Sequence, residues 1–529
     1  MSEPYDSLDK RFRGACKVLF GKDVGSLSKY EPWLIEHIEP VFHKKSALSG
    51  KPVSFAIRNF NHNARFISFD EIDFNKKNAL DTEKITGISS ILSQINDRLY
   101  YCGNIISGQS GQIEKSSNID SSFYMSNCSR FYESKYCAFC NFGGVGSEDC
   151  FGCNGLGDSA LCIKCPETYN YKRCFELWWS QSCSDCYYSI GLNNCSDCMF
   201  CFHLKNKRHC IGNVQLTPAE YNEAKKRLLS QMAAELEKNG RLPSLVEISK
   251  NAKLDLSGIQ LPPDDANDGE NMAPILESFN QASKLVLGKE LSGGLLAYEQ
   301  WLLQKKRAIE KFPSALSKKT VYRGDYCNAA LMPKDRLVKA NEAFFLADKL
   351  KLSHEEAAAS SFDSLKHILG KIAFFSPEYY AGTRSNIIQC PQAMDASNCY
   401  KAIATVFAKN CAIGMWPRHS EALFGFDAVK KSSFCINCYE SVNIKRCFEC
   451  DSCTSSSDCY FCHNAENCEE CMFCFNAKGL RYAIGNVQLP KEEYLKIKKL
   501  VLAEIVAKLE KDKKLDLSIY NLGAGQAVD

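Results

Sequence analysis

The spacing of apolar residues along the chain predicts both helices and strands. A core-facing helix is indicated where apolar residues recur three or four positions apart, at Ile85, Ile88, Leu92, Ile95 and Leu99. Strands are predicted at 53–60 and 65–69 from alternation and β-forming residues. Further along, a second helix start is indicated by a cap, a first-turn proline and a capping-box acid at Thr217, Pro218 and Glu220.

A second pattern recurs at every twelfth position and is marked by cysteine. One series consists of Cys150, Cys162, Cys174, Cys186, Cys198, Cys210, Cys435, Cys447, Cys459 and Cys471. Another, three positions later, consists of Cys153, Cys165, Cys201, Cys438, Cys450, Cys462 and Cys474. The remaining third positions are mostly small, as at Ser180 and Ala465. Small side chains at every third position predict a narrow β-solenoid, with 12-residue coils stacked about 4.7 Å apart.

Long strings of the chain occur twice. IGNVQL at 211–216 returns at 484–489, and CMFCF at 198–202 returns at 471–475, both at the same offset. Nearer the amino terminus, Tyr30 corresponds to Tyr298 and Trp33 to Trp301. These two correspondences have the same offset, which is slightly smaller than the offset of the strings above. We therefore predict a tandem duplication of one α+β unit. In each copy an α/β part precedes a cysteine-rich solenoid that is capped by a carboxy-terminal helix.

The repeats divide the chain into seven predicted segments. The first copy has an α/β part at 1–100, a solenoid at 101–216, and a capping helix with its tail at 217–260. A proline-rich, acidic linker follows at 261–272. The second copy has its α/β part at 273–385, its solenoid at 386–489, and its capping helix and tail at 490–529. We call residues 101–216 cysteine region 1 and residues 386–489 cysteine region 2.

Aromatic side chains form stripes along one flank of each cysteine region. Such a flank either packs on helices of the same chain or forms a docking surface for a partner. The rings assigned to this candidate interaction surface are Phe175, Trp178, Trp179, Tyr187, Tyr188, Phe200, Phe448, Tyr460, Phe461 and Phe473.

The cysteines offer a candidate metal site. Neighbouring coils with complete pairs present four thiols, and zinc binds four sulfurs in a tetrahedron. The candidate ligands are Cys150, Cys153, Cys162, Cys165, Cys435, Cys438, Cys447, Cys450, Cys459, Cys462, Cys471 and Cys474. Against zinc, Cys150 corresponds to Leu423 and Cys153 to Phe426 in the second copy. Because cysteine exchanges with core residues, a core of reduced thiols that needs no cofactor is preferred; zinc, disulfides and iron–sulfur chemistry stay open.

Charge and targeting features narrow the function classes. The 65 basic and 62 acidic residues leave a net charge of +3, so no overall field attracts nucleic acid or acidic lipid. The first residues have no apolar core of signal-peptide length, and no stretch reaches the roughly 18 apolar residues of a membrane span. We expect a cytoplasmic protein that does not contact membranes.

One segment carries a family resemblance. CSDCMFCFHLKNKRHCIGNVQLTPAEY at 195–221 resembles a signature of uncharacterised cysteine-rich repeat proteins of small-genome bacteria and archaea. SALSGKPV at 46–53 is similar to their upstream segment, but Ser46 and Ala47 replace cysteines there. No activity is established for that family, so the resemblance implies no reaction. The coil pattern also resembles the architecture of 12-residue insect antifreeze solenoids, without their threonine rows.

The sequence ranks functional hypotheses without deciding between them. It contains no P-loop, dinucleotide fingerprint, nucleophile elbow or His-Glu-x-x-His motif, so an enzyme is the least supported class. The leading hypothesis is a non-enzymatic structural or interaction protein, a scaffold or self-assembling component that binds a protein partner or a second copy. The alternative is a zinc-binding module that binds nucleic acid or a ribonucleoprotein through basic residues between Lys205 and Arg227.

Overall fold

Helices and large parallel sheets are both present in this chain. The computed structural model describes residues 3–263 and 270–522. Its mixed α+β composition and parallel sheets confirm the predicted class at that level. Part of the predicted linker, residues 264–269, lies outside the described residues.

Twelve α-helices lie within the described residues. They are α1 Glu3–Phe20, α2 Glu31–Ile35, α3 Ile88–Ile95, α4 Pro218–Asn239, α5 Leu245–Ser249, α6 Ala273–Leu287, α7 Gly294–Ala297, α8 Glu299–Leu303, α9 Ala340–Ala347, α10 His354–Ala358, α11 Phe362–Ile368 and α12 Lys491–Asp512.

The first half of the chain forms strands β1 to β17. They are β1 Phe42–Lys45, β2 Pro52–Phe55, β3 Phe66–Ser68, β4 Tyr101–Gly103, β5 Ile106–Ser107, β6 Gly111–Glu114, β7 Ser117–Asp120, β8 Phe123–Tyr132, β9 Lys135–Gly143, β10 Glu148–Phe151, β11 Asn154–Leu156, β12 Ala160–Ile163, β13 Tyr171–Trp178, β14 Cys183–Ile190, β15 Ser196–Met199, β16 Arg208–Ile211 and β17 Val214–Gln215.

The second half forms β18 to β31. They are β18 Ile309–Pro313, β19 Thr320–Gly324, β20 Tyr379–Ile388, β21 Gln392–Ile403, β22 Thr405–Lys409, β23 Ala412–Met415, β24 Arg418–Asp427, β25 Ser433–Ile436, β26 Ser457–Tyr460, β27 His463–Glu466, β28 Glu469–Met472, β29 Phe475–Lys478, β30 Arg481–Ile484 and β31 Val487–Gln488.

Strands of the cysteine regions pair in parallel with the segment one repeat away along the chain. Cys150 is paired with Cys162, and Cys162 with Cys174. In region 2, Cys459 is paired with Cys471. Backbone groups of these short strands are thus satisfied by the preceding or the following repeat, which is how short strands avoid unpaired polar groups.

A left-handed backbone recurs at every third residue in the regular part of cysteine region 1. From residue 182 to 209 these positions have φ between 45° and 70°, and they include Asp185, Asn194, Asp197 and Asn206. Asparagine and aspartate tolerate this conformation better than most residues. The same positions carry polar ladders, for example Asn194 Nδ2 donating to Asn206 Oδ1 at 2.7 Å. The chain therefore turns four times in each repeat.

The predicted helices are present, with shorter bounds in one case. Helix α4 begins with the predicted cap, since the amide of Glu220 donates to Thr217 Oγ1 at 3.3 Å. The helix predicted over Ile85–Leu99 is confined to α3, because Gly87 forms its amino-terminal boundary and a 3-10 turn follows Ile95. Likewise, the strands predicted at 53–60 and 65–69 are shorter in the structure, where they are β2 (Pro52–Phe55) and β3 (Phe66–Ser68).

Each half covers the end of the other half's cysteine region. The amide of Cys102 donates to His463 Nε2 at 2.8 Å, across the two halves. At the end of region 1, a Cβ on Gly212 would meet Leu352 at 2.4 Å, and at the end of region 2, one on Gly485 would meet Ile95 at 2.5 Å. Two hydrophobic clusters accordingly combine residues of both halves.

The left-handed corners generate a stability prediction at neighbouring exposed residues. Ser455 has φ +49°, whereas Thr454 is not among the positive-φ residues, and both side chains are exposed. We expect Ser455→Val to lower the free energy of unfolding by about 1–2 kcal/mol, because a β-branched residue fits the left-handed region poorly. Thr454→Val is the matched control and should change it little. Urea denaturation measures both, and equal effects would contradict the assignment of corners.

Candidate functional site

The predicted zinc ligands all lie in the interior of the cysteine regions. All 30 cysteines of the chain are buried and free of disulfides. Their thiols contact backbone carbonyls: Cys450 Sγ donates to the oxygen of Cys459 at 3.3 Å, and Cys153 Sγ to that of Cys162 at 3.5 Å. A thiol is small, apolar and a weak donor, so it fills this interior and bonds to neighbouring carbonyls.

Burial disfavours the deprotonated form of these thiols, and it raises the pKa values of Cys150 and Cys165. At other candidate ligands, hydrogen bonds from neighbouring thiols outweigh burial: they lower the pKa of Cys438 to about 6, and they also lower the pKa values of Cys153 and Cys447. Within the described residues, no group of three or more His, Cys, Asp or Glu side chains is arranged to hold a metal ion. The structure therefore lends no support to the zinc hypothesis, and elemental analysis is its test.

The aromatic rings of the candidate interaction surface are buried inside the chain. None of the ten is more than 5% exposed. Phe175 packs edge-on against Phe20 of α1, and Tyr188 stacks on Phe200 with centroids 5.1 Å apart. The prediction of an exposed docking surface at these rings is thus corrected, because the chain's own helices cover them. The alternative weighed with it, packing on the same chain, describes what is seen.

The same hydrogen bond recurs in both halves at this flank. Tyr187 Oη donates to the backbone oxygen of Leu19 in α1 at 3.1 Å, and Tyr460 Oη donates to that of Val286 in α6 at 2.8 Å. Each phenol thus has a partner at the end of a covering helix, as buried tyrosines require.

The basic residues of the nucleic-acid hypothesis are partly committed to internal contacts. Arg227 donates to the backbone oxygens of Ser360 and Ala358, each at 2.8 Å. Lys225 Nζ contacts Asp197 at 3.0 Å. Lys205 and Lys207 are exposed. The described surface therefore leaves only part of this basic segment free for phosphate groups.

Charged side chains meet where the two halves join, in a cluster that we call the junction. Arg307 contacts Glu39 at 2.5 Å, and the two stand at the same interval as Tyr30 and Tyr298. Burial raises the pKa of the Glu39 carboxyl, but Arg307 and Arg130 outweigh burial and lower it overall. The Glu39 carboxylate therefore stays ionised between two guanidinium groups.

A second ion pair of the junction is more deeply buried. Arg130 Nε lies 2.8 and 2.9 Å from the carboxylate oxygens of Glu440, and the two side chains are 3% and 4% exposed. Although burial lowers the pKa of Arg130, Glu440 and Glu39 raise it overall, so the guanidinium stays charged.

Two lysines of the junction lie against aromatic faces. Lys306 Nζ is 3.8 Å from the centroid of Tyr439, and Lys430 Nζ is 4.1 Å from the centroid of Trp416. Burial lowers the pKa of each to about 7. Burial also raises the pKa of Glu440 to about 7, although Arg130 acts against this. The junction thus combines ion pairs with two amines that change charge near neutral pH, held against rings by cation–π contacts.

The junction was not predicted from the sequence. One signal was readable, because Glu39 and Arg307 occupy corresponding positions with opposite charges. Glu440 and Arg130 gave no comparable signal, since they meet across the two halves from distant positions in the chain. Their pairing depends on how the halves pack.

Comparison with known proteins gives no relative from which a function could be transferred. The chain matches no protein-family model, no curated protein and no solved structure. The resemblance to cysteine-rich bacterial and archaeal proteins therefore stays a prediction. Among the helices of residues 3–263 and 270–522, none is long and apolar enough to cross a membrane.

The burial of the thiols predicts their reactivity. In native protein purified without chelator or added zinc, we expect most cysteines to react slowly with Ellman's reagent, because the thiols are buried. After unfolding in guanidinium, all 30 should react. Elemental analysis of the same sample should find less than one zinc per chain. Stoichiometric zinc with about four protected thiols per metal would contradict this result.

The junction predicts a large loss of stability when one partner is removed. Arg130→Gln leaves Glu440 buried without its partner, which we expect to cost about 3–5 kcal/mol of unfolding free energy. Arg481→Gln is the matched control, because Arg481 pairs with Glu469 at the surface and should cost about 0–1 kcal/mol. Chemical denaturation compares them, and Arg130→Gln/Glu440→Gln should recover part of the loss. Equal effects in the two single variants would contradict the role of the buried pair.

Proposed function

We propose that this chain is a non-enzymatic structural protein that assembles with further copies of itself. In this proposal the cysteine regions are narrow solenoids of 12-residue coils, related by duplication, and their thiols form a packed core. The supporting observation is the combination of parallel pairing between successive repeats with the burial of every cysteine. Buried thiols that solvent does not reach serve packing better than catalysis or redox sensing.

The ends of the cysteine regions suggest where copies meet. At one end an antiparallel pair closes the sheet, β16 with β17 in region 1 and β30 with β31 in region 2. At the other end of region 2, β20 is the last strand of its sheet, and residues 382–385 are exposed. An edge strand with free backbone groups can pair with a strand of another chain. We assign self-association to this edge.

Light scattering over a range of protein concentrations tests the proposal. We expect the average mass to rise with concentration in the unmodified chain. Thr383→Lys/Ser385→Lys should keep the protein monomeric, because lysines on an edge strand oppose edge-to-edge pairing. Thr454→Lys places one such lysine on an exposed residue whose backbone pairs on both sides, with Val442 and with Glu466, and it should not alter assembly. Thr383→Lys alone is the single-lysine variant to compare with it. A chain that stays monomeric at every concentration would contradict the proposal.

A further inference from the structure

Two positive side chains of region 2 flank the indole ring of Trp416, in a group that we call the Trp416 cluster. The Arg418 guanidinium lies over this ring, 4.5 Å from its centroid, and Lys430 Nζ lies 4.1 Å from the same centroid. Region 1 contributes Tyr132, whose ring centroid is 4.2 Å from Lys430 Nζ. It also contributes Phe142, which meets Trp416 edge to face with centroids 5.5 Å apart. Two cations are thus held close together against rings from both regions.

The donors of this cluster have no acceptor in the described part of the chain. Trp416 is 2% exposed, and its Nε1 atom is buried without a hydrogen-bond partner. Arg418 Nε is buried and unpartnered as well. Of the carboxylates that the structure describes, none lies within ion-pair distance of Arg418 or Lys430. The face of an aromatic ring such as Phe142 is at best a weak acceptor. Buried donors without acceptors are costly, and in folded proteins a bound water or ion usually explains them.

The charges around the cluster favour an anion. Burial and the charge of Arg418 lower the pKa of Lys430 to about 7. Arg130 acts in the same direction, and Glu440 acts in the opposite one. Glu440 is already bonded to Arg130 at 2.8 and 2.9 Å, so much of its charge is balanced there. The cluster therefore keeps an excess of positive charge in a mostly buried place, where attraction to a counterion is stronger than in water.

A cleft beside Arg418 gives a small anion access to the cluster. Arg418 lines this cleft, which lies between the two cysteine regions and has a free volume of about 80 Å³. A buried water needs about 10–15 Å³, so the cleft has room for a few waters or one small ion. Tyr169, which also lines it, is 57% exposed, and the cleft is therefore reachable from solvent. Burial raises the pKa of Glu167 in the same wall and so favours its uncharged form, which does not repel an anion.

We propose that the Trp416 cluster binds one small inorganic oxyanion, of the size of phosphate, sulfate or bicarbonate. The Arg418 guanidinium and the Trp416 indole N–H donate to its oxygens, and the Lys430 ammonium supplies a second positive charge. An oxyanion fits better than a halide, because it offers separate acceptor oxygens to donors on different side chains. A neutral ligand would leave the two positive charges without a counterion.

The proposal is independent of self-assembly, because the cluster lies within one chain and does not use the exposed residues of β20. A failure of one therefore does not decide the other.

Isothermal titration calorimetry of the full chain in a zwitterionic buffer of low ionic strength tests the proposal with sodium phosphate, sodium sulfate and sodium bicarbonate. We expect saturable binding of at least one of them, with one site per chain and a Kd of about 1 mM or below. Sodium chloride at the same ionic strength should bind at least about ten-fold more weakly. Absence of saturable binding of all three oxyanions up to about 20 mM would overturn the proposal. Chloride binding as tight as that of the oxyanions would contradict the ligand class.

Single variants provide the second arm. Arg418→Gln and Lys430→Gln should each weaken binding at least about ten-fold and abolish the rise in Tm that the oxyanion causes in the unmodified chain. Trp416→Phe keeps an aromatic ring but removes the indole N–H, and it should weaken binding as well. Lys431→Gln and Arg481→Gln are matched controls, because both side chains are exposed and lie outside the cluster. Circular dichroism confirms that each variant is folded. If the folded cluster variants bind the oxyanion as the controls do, the proposal is wrong.

Discussion

The fold depends on parallel pairing between segments that stand one repeat apart along the chain. Each short strand has few backbone groups, and most are satisfied only by the segments immediately before and after it. This pairing brings corresponding residues of successive segments into register, as for Cys150 and Cys162. A side chain that fits the interior in one repeat therefore lies next to the corresponding side chain of the following repeat, which must meet the same demands of size and polarity. That repeated demand for a small, apolar side chain with a weak donor accounts for the cysteine series better than a metal site does.

The same constraint explains the polar corners. A closed turn after every two extended residues requires the left-handed conformation at every third position, at a cost of about 1–2 kcal/mol for an ordinary residue. Asparagine lowers that cost and bonds to the asparagine one level away, as Asn386 does with Asn398 at 2.9 Å. Large residues also occur at corners: the chain covers Tyr188 completely, whereas Phe407 is 48% exposed.

Sequence reasoning was reliable where the pattern is local or strictly periodic. The cap at Thr217 and the spacing of the cysteines predicted a helix start and a register that the structure contains. Sequence reasoning was incomplete where packing between distant segments decides whether a side chain is exposed or buried. A stripe of rings such as Phe175 and Phe448 has the same sequence whether it is exposed or covered, and only the helices that pack on it distinguish the two cases.

The contact between Cys102 and His463 shows a second limit of sequence reasoning. When two halves share one pattern, the pattern is equally consistent with a segment that covers its own half and one that covers the other. Here the covering segments are exchanged, so each core is completed by the opposite half. Such an arrangement can be recognised in the sequence where corresponding positions carry opposite charges, as Glu39 and Arg307 do.

The exchange also sets how the two cysteine regions lie against each other. Glu167 of one half and Arg418 of the other line the same cleft, so the shape of that cleft depends on how the halves are joined. The junction fixes that relation through ion pairs that are buried and therefore weakly screened by salt.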